Sequence, residues 1–394
     1  MPETAMENGP QPALERKPKG ALLPLGRGAL LYAGFLLFIG VYKSLNLLAL
    51  LGYFILVAMF VNAFLSGYRL RQIRVRRHFP DPLYAGQEGF YQIEMTNSNA
   101  APVPPWCLID LSSSRKNGWS VQALASGAST FVPSRIHPLK RGVLALAPLE
   151  ICGSFPFGLV QNRHFGPSQE EVLILPKTGT LRRGSIQRFI SKAAALGDSG
   201  KAPRFHPLAT EEFHGLRPFR QGDNPKGIHW RTSARRGELM VRDHEDYPGD
   251  DILIAVDPGV GPGDDLEELI SLAATICVDL CKVRGNRLVF AIAGREPVVL
   301  EDRAEPSFGL VVLRELARCQ APVDQAGAAR AQSRVIDLLS NTEMPPAALI
   351  LARRGRFAGL ILPRDAPAPV LDAPTARELG LYEPPASERG AGNA

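Results

Sequence analysis

The sequence predicts a membrane α-helical hairpin, followed by a β-rich, sandwich-like module and then a doubly wound α/β domain. Three observations carry this prediction. Residues 28–68 hold two apolar stretches with a single charge, Lys43, between them. Residues 71–176 break into short alternating runs punctuated by Pro, Gly, Asn and Ser. Across residues 208–371, apolar β-branched runs alternate with stretches of helical spacing.

The hairpin comes first. Leu47 to Leu65 reads LLALLGYFILVAMFVNAFL, uncharged and with Asn62 its only strongly polar side chain. That is about the length needed to cross a hydrocarbon core. Gly28 to Tyr42 is shorter but continuously apolar, and reaches crossing length near Leu45 if Lys43 snorkels. The alternative for this first stretch is a signal peptide behind Arg27. It fits less well, because Lys43-Ser44-Leu45-Asn46 leads straight into the second apolar run without a small-residue cleavage site.

Charge sets the expected orientation. The 45 Lys and Arg against 39 Asp and Glu leave a formal charge of +6. Arg16, Lys17, Lys19 and Arg27 precede the first crossing, and Arg69, Arg71, Arg74, Arg76 and Arg77 follow the second. The basic balance therefore points to membrane topology rather than nucleic acid, and no basic stripe interleaved with aromatics occurs elsewhere. The positive-inside rule puts residues 1–27 and everything after Arg69 in the cytoplasm, as for a multi-pass inner-membrane protein in contact with the lipid bilayer. Cys107, Cys152, Cys277, Cys281 and Cys319 are scattered and form no CxxC, which suits free thiols in a reducing compartment.

In the β-rich module, GFYQIEMTN, WCLIDLSSS, RGVLALAPLEI and EVLILP are strand-like runs at hairpin spacing. Residues 178–207, rich in Gly, Ser, Lys and Arg, read as a linker with one helical turn. DILIAVDP (251–258) is the kind of run buried in a parallel sheet. DDLEELISLAATICVDLCKV (264–283) has amphipathic helical spacing with acids in its first turn. RLVFAIAG, VVLRELARC, AALILA and AGLILP continue as strand, helix, strand and strand. Residues 372–394, rich in Pro, Ala, Glu and Gly, read as a disordered tail.

The most informative segment is Phe213 to Glu245, FHGLRPFRQGDNPKGIHWRTSARRGELMVRDHE. Asn224 suits a helix N-cap and Pro225 the first helical position. Gly237 would stop the helix after Arg235, and ELMVRDHEDY reads as a strand. The segment resembles the signature of the DUF 58 family, a version of LRxYxxGDxxRxIHWxxSARxGxLxVxxxE. Leu216, Arg217, Gly222, Asp223, Ile228, His229, Trp230, Ser233, Ala234, Arg235, Gly237, Leu239, Val241 and Glu245 fit it. SFPFGLV at 154–160 is similar to that family's DPFGL turn, with Ser154 and Phe155 where an acidic residue is common.

The resemblance implies that the final domain is von Willebrand factor A-like. It also implies a working partner, a MoxR-type AAA+ ATPase, together with other membrane proteins, in complex assembly or envelope biogenesis. The chain has no GxxxxGK[ST] loop, so ATP chemistry would lie in the partner. A metal-binding von Willebrand A domain carries Asp-x-Ser-x-Ser after its first strand. Here those positions are Asp257, Pro258, Gly259, Val260 and Gly261. Hard divalent cations need several oxygen ligands together, and glycines offer none from a side chain. No metal or other cofactor is expected, and Asp257 should cap a turn or meet a basic residue.

The rival class is an enzyme, a hydrolase or metal-dependent activity centred on Asp223, His229 and Asp257. Asp223, His229 and Ser233 follow the order of one hydrolytic triad, and His229 and Ser233 stand i, i+4 on the expected helix. No nucleophile elbow surrounds Ser233, whose hydroxyl should bond back to a carbonyl one turn earlier. His206, His214, His229 and His244 have no metal-ligand spacing. Charges around the signature are nearly balanced, which favours internal pairing over phosphate binding. The expectation is therefore a network of Arg217, Asp223, Arg235 and Glu245 with Trp230 as its buried anchor. The alternative for the same residues, a recognition surface for a partner protein, stays open.

Overall fold

A computed structural model describes residues 19–68, 70–110, 112, 117–166, 170–182, 184–196, 213–219, 229–244, 251–282, 287–345, 347–354, 362 and 368–385. The chain divides into two compact units, Met1–Ile174 and Leu175–Ala394.

The first unit starts with a strand that composition did not announce, β1 (Lys19–Leu22). Helices α1 (Pro24–Tyr42) and α2 (Asn46–Tyr68) follow, and Pro24 sits in the first turn, where its missing N–H costs nothing. Both helices are long and apolar enough to cross a bilayer, and they leave Phe35, Phe38, Leu47, Phe54 and Phe60 exposed. That pattern suggests membrane association. Next come β2 (Ile73–His78), β3 (Leu83–Tyr84), β4 (Gly89–Asn97), β5 (Trp106–Asp110), β6 (Asn117–Val121), β7 (Ser129–Ile136), β8 (Gly142–Leu146), β9 (Leu149–Gly153), β10 (Val160–Phe165) and β11 (Glu170–Leu175).

These strands form three sheets, ordered β1-β10-β9-β5-β6, β2-β4-β7 and β3-β11-β8. In β4, Tyr91, Ile93 and Met95 are buried while Phe90 and Gln92 face out, the period of a sheet with one covered face. Their core is shared with Trp106, Leu108, Ile151 and Ile174, so strands of all three sheets enclose one apolar cluster. The β-rich module is thus present, and it recruits Lys19–Leu22 from what composition assigned to an N-terminal tail.

One charge of the expected topology signal is not a membrane-flanking charge at all. The Arg77 side chain is buried, because β2 turns it toward Asp110, Glu170, Ser112 and the Ala147 carbonyl. Its Nη2 donates to Asp110 Oδ1 at 3.0 Å and its Nη1 to Glu170 Oε2 at 2.5 Å. Tyr91 Oη donates to the other Asp110 oxygen, and Ser112 N to Oδ1. Burial acts to raise the Asp110 carboxyl. The hydrogen bonds from Tyr91 and Ser112 and the Arg77 charge outweigh it and hold the carboxyl below its ordinary value.

The second unit comprises β12 (Thr180–Leu181), α3 (Ser185–Leu196), β13 (Phe213–Pro218), α4 (Trp230–Arg236), β14 (Met240–His244), β15 (Ile252–Asp257), α5 (Asp264–Leu280), β16 (Arg287–Ile292), β17 (Val298–Arg303), α6 (Pro306–Arg318), α7 (Gln325–Ser340), β18 (Ala347–Ala352), β19 (Val370–Leu371), α8 (Ala373–Glu378) and β20 (Tyr382–Glu383). Its main sheet runs β17-β16-β15-β18-β19. β16, β15, β18 and β19 are parallel, and β17 is an antiparallel edge. Every residue of β15 and β18 is buried, as expected of strands covered on both faces. Leu253, Ala255, Ala348 and Ile350 pack on Val335 and Leu339 of α7. Ile252, Ile254 and Val256 alternate to the opposite face and are buried as well.

Two boundaries need correction. The expected linker, 178–207, contains strand β12 and the twelve-residue helix α3. Its Ile186 and Ile190, spaced i, i+4, are buried, a pattern that the surrounding Gly, Ser and Lys obscure. The expected disordered tail, 372–394, contains α8 and β20. Asp372 caps α8 by accepting from Thr375 N at 2.6 Å, and Tyr382 is buried with its hydroxyl 2.8 Å from Ser271 Oγ. Pro374 serves the first turn of α8. The strand-like run AGLILP falls, apart from Leu362, outside the described residues. All five cysteines are free thiols, and only Cys107 is exposed.

Candidate functional site

The signature folds as a strand–helix–strand unit. β13 pairs antiparallel with β14, with Arg217 opposite Val241 and an irregularity between Phe213 and Gly215. α4 lies between these strands in sequence and ends at Gly237, which adopts the left-handed conformation expected of a helix stop. The N-cap differs from expectation. It is His229, whose Nδ1 accepts from Thr232 N at 3.3 Å, and the helix starts at Trp230. Asn224 and Pro225 lie outside the described residues, as do Gly222, Asp223, Glu245 and His206. The backbones of His214 and His244 belong to β13 and β14.

Ser233 does what a helical hydroxyl was expected to do. Its Oγ donates to His229 O at 3.1 Å and accepts from Met240 N at 2.9 Å. The hydroxyl thereby ties α4 to the start of β14, and the buried Met240 side chain seals the joint. Both hydroxyl and imidazole are occupied by backbone groups. Among the described residues nothing aligns them as nucleophile and base.

Trp230 overturns its assigned role. It is 67% exposed, with Arg231, Arg235 and Arg236 of the same short helix also exposed and Leu239 open beside them. Within the helix only Ser233 is buried, and Trp230 stands exposed with Ala234 and the three arginines, so it anchors nothing in the interior. Arg235, expected in a partly buried network, is solvent-facing as well.

The second candidate is the crevice at the carboxyl ends of β15 and β18, where open α/β sheets commonly bind ligands. Asp257 ends β15 and is buried. Its Oδ1 accepts from Gly259 N at 3.0 Å and its Oδ2 from Gln332 Nε2 at 3.3 Å. It caps the turn, as expected. Gly259 and Gly261 have φ of +63° and +74°, where the serines of a metal-binding loop would be strained.

The crevice is occupied from within by Arg353, the residue after β18, which is 2% exposed. Its Nε and Nη2 donate to Asp265 at 2.8 and 2.5 Å. Its Nη1 donates to the carbonyls of Pro258, Val260 and Gly261 at 3.1, 3.2 and 2.6 Å. A guanidinium therefore takes the loop oxygens that a cation would need. Nothing about Arg353 among the three arginines of LARRGR marks this role, and only its position at a strand's carboxyl end sets it apart.

Among the described residues, no three His, Cys, Asp or Glu side chains are grouped to hold a metal ion. Millimolar Mg²⁺ or Mn²⁺ should leave the melting temperature unchanged, since only a ligand that favours the native state stabilises it. A saturable rise that Asp257→Ala abolishes would show instead that the loop accepts a cation.

No family model matches the chain, and no curated protein matches it. Two solved structures similar to parts of it are a CARDB domain from Pyrococcus furiosus, crystallised with di-metal ions, and a Pseudomonas fluorescens alkylpurine DNA glycosylase, AlkC, bound to DNA containing an abasic site analogue. The first is 14% identical, covers 26% of this chain and 87% of its own, and has a TM-score of 0.20. The second is 12% identical, covers 34% and 41%, and scores 0.14. At these scores neither bears on fold or function.

Proposed function

We propose that the chain is a membrane-anchored, cytoplasm-facing interaction protein of the DUF 58 type. It works with a MoxR-type AAA+ ATPase and other membrane proteins in complex assembly or envelope biogenesis, through a degenerate von Willebrand A-like domain. The observation that carries this reading is the exposed Trp230, framed by Arg231, Arg235 and Arg236 in the middle of the signature. Trp and Arg are the residue types most enriched among binding hot spots, and a Trp held out on a helix costs solvation until a partner covers it. Ser233 and Met240 fix the helix to β14, so the surface is presented rigidly.

Two further features support the reading. The strand order with its antiparallel edge suits a von Willebrand A-like sheet, and the Arg353-filled crevice suits a version that dispenses with the metal. The two apolar helices suit a multi-pass anchor in the inner membrane, and the exposed basic residues Arg74 and Arg76 follow the second crossing.

The test is capture of the MoxR-type ATPase, co-expressed with the full chain, from detergent-solubilised membranes. Trp230→Ala should melt like the parent, because an exposed side chain contributes about 0.5 kcal/mol or less to folding. It should weaken capture by about 2 kcal/mol, roughly thirtyfold, if Trp230 is a hot spot. A parent that captures no ATPase would sink the partnership. A variant that captures it equally well would move the contact away from α4.

A further inference from the structure

The turn between β9 and β10, residues 154–159, is hydrogen-bonded into the hairpin. Asn62, fully buried despite lying in an apolar run, donates Nδ2 to Ser154 O at 3.1 Å. Its Oδ1 accepts from Leu159 N at 3.0 Å and Val160 N at 2.7 Å. Leu23 N donates to Leu159 O at 3.1 Å, and a Cβ added to Gly26 would stand 2.0 Å from that same oxygen. The backbones of α1 and the turn therefore touch, which only glycine permits. Further down, Asn162 Nδ2 donates to Ala63 O at 2.9 Å and Ser66 Oγ at 2.7 Å. From Asn162 to Leu159 the chain thus climbs α2 from Ser66 to Asn62, and residues 155–158 join the two strand ends held at Asn62.

Lengths then decide where the tip lies. From Asn46 to Asn62 the axis of α2 rises about 24 Å, and from Gly26 to Tyr42 that of α1 rises the same amount. A hydrocarbon core is about 30 Å thick. A hairpin that spans it must therefore carry the hydrocarbon boundary down to the level of Asn62 or beyond. The turn held at that level presents Phe155 and Phe157, 45% and 53% exposed, and Leu25 in the first turn of α1 is exposed as well. Residues 154–160 contain no charge. Non-helical backbone at membrane depth is tolerated only where its polar groups are satisfied by protein. Asn62 does this for Ser154, Leu159 and Val160, and Gly158 N bonds to Ser154 O.

We propose that residues 154–160 form a membrane-inserted turn, with Phe155 and Phe157 seated in the acyl boundary of the bilayer beside the hairpin. The β-rich module is thereby fixed to the membrane surface at a third point besides its two helices, and Asn62 is the post that holds the turn at that depth. The proposal rests on the hairpin's crossing the bilayer, so the test must read the two separately.

Full-length protein carrying Cys107→Ser, which removes the one exposed thiol, would be reconstituted in phosphatidylcholine–phosphatidylglycerol vesicles. A nitroxide would be attached at Phe155→Cys, Phe157→Cys, Phe54→Cys in the hairpin, or Val323→Cys, exposed in the α/β unit. Collision rates with lipid-soluble oxygen and with a water-soluble nickel chelate report depth. The labels at 155 and 157 should show an oxygen-to-nickel ratio several-fold above that at 323 and close to that at 54. A label at 54 in hydrocarbon with both turn labels as nickel-accessible as 323 would overturn the inserted turn and leave the hairpin reading intact. A label at 54 in water would overturn both. Turn labels shielded from both reagents would mean a protein cover and also refute insertion.

Discussion

Arg77→Met should destabilise the β-rich unit by about 3–5 kcal/mol, because it strips a buried carboxylate of its cation. Asp110 is fully buried and would keep only the Tyr91 and Ser112 donors. For a unit of this size that corresponds to a fall of about 2–4 °C in melting temperature per kcal/mol. Full-length protein in detergent, melted while the fluorescence of the buried Trp106 is followed, would show it. Arg77→Met combined with Asp110→Asn should lose less than the sum of the two single changes, since the orphaned charge is gone. The pH dependence has a definite sign. The Asp110 carboxyl is held below its ordinary value of 3.8 in the folded state, so its contribution is present above about pH 4 and is lost as pH falls through the folded value. The Met variant has no cation to hold that proton off, so its deficit should shrink in acid. Equal melting of variant and parent at neutral pH would mean that the network contributes nothing.

How much of this was legible in the sequence follows from where the physics is local. Strands β4, β15 and β18 could be read because alternation or unbroken apolarity is written in consecutive residues. The helix stop at Gly237 was legible for the same reason. By contrast, α3 and α8 are specified by a few small or apolar residues inside polar, Pro- and Gly-bearing stretches, and composition averages them away. The strand at Lys19–Leu22 exists only because β10, far along the chain, offers its edge. No local pattern could announce it.

The site was less legible than the fold, because direction matters there more than residue type. A Trp among arginines is consistent with an anchor or an outward-facing hot spot, and helical spacing does not separate them, since Trp230 and Ser233 are i, i+3 neighbours yet one is exposed and the other buried. In the sequence Arg77 is indistinguishable from a membrane-flanking charge, because it follows Arg74 and Arg76. The two-residue period of β2 sends Arg74 and Arg76 outward and takes Arg77 to Asp110. In the sequence the turn at 154–160 stands out as a motif, and Asn62 as the odd polar residue in an apolar run. That each satisfies the other becomes visible only when residues nearly a hundred positions apart are brought together.

Arg353→Ala should be the most damaging single change at the crevice. The guanidinium makes two bonds to Asp265 and three to the loop carbonyls of Pro258, Val260 and Gly261. Changing Asp265 to Asn is milder than removing the guanidinium, because the amide oxygen still accepts from the buried Arg353 and the three carbonyls stay bonded. The carbonyls differ: that of Pro258 is buried and those of Val260 and Gly261 are half-buried, and a buried acceptor left unsatisfied costs about 1–3 kcal/mol. A loss of about 3 kcal/mol or more in urea unfolding is expected, while Asp265→Asn should cost clearly less than Arg353→Ala. Arg353→Lys should recover little of the loss. An ammonium is a point charge that cannot reach Asp265 and three carbonyls in different directions at once. This ordering, Ala and Lys both severe and Asp265→Asn mild, distinguishes a clamp from a simple ion pair, in which Lys would rescue and Asp265→Asn would hurt as much as Ala. Were Arg353→Ala to unfold at the parent's urea concentration, the crevice would not depend on its guanidinium. Asp257 and the loop carbonyls would then return as candidates for a site that binds something else.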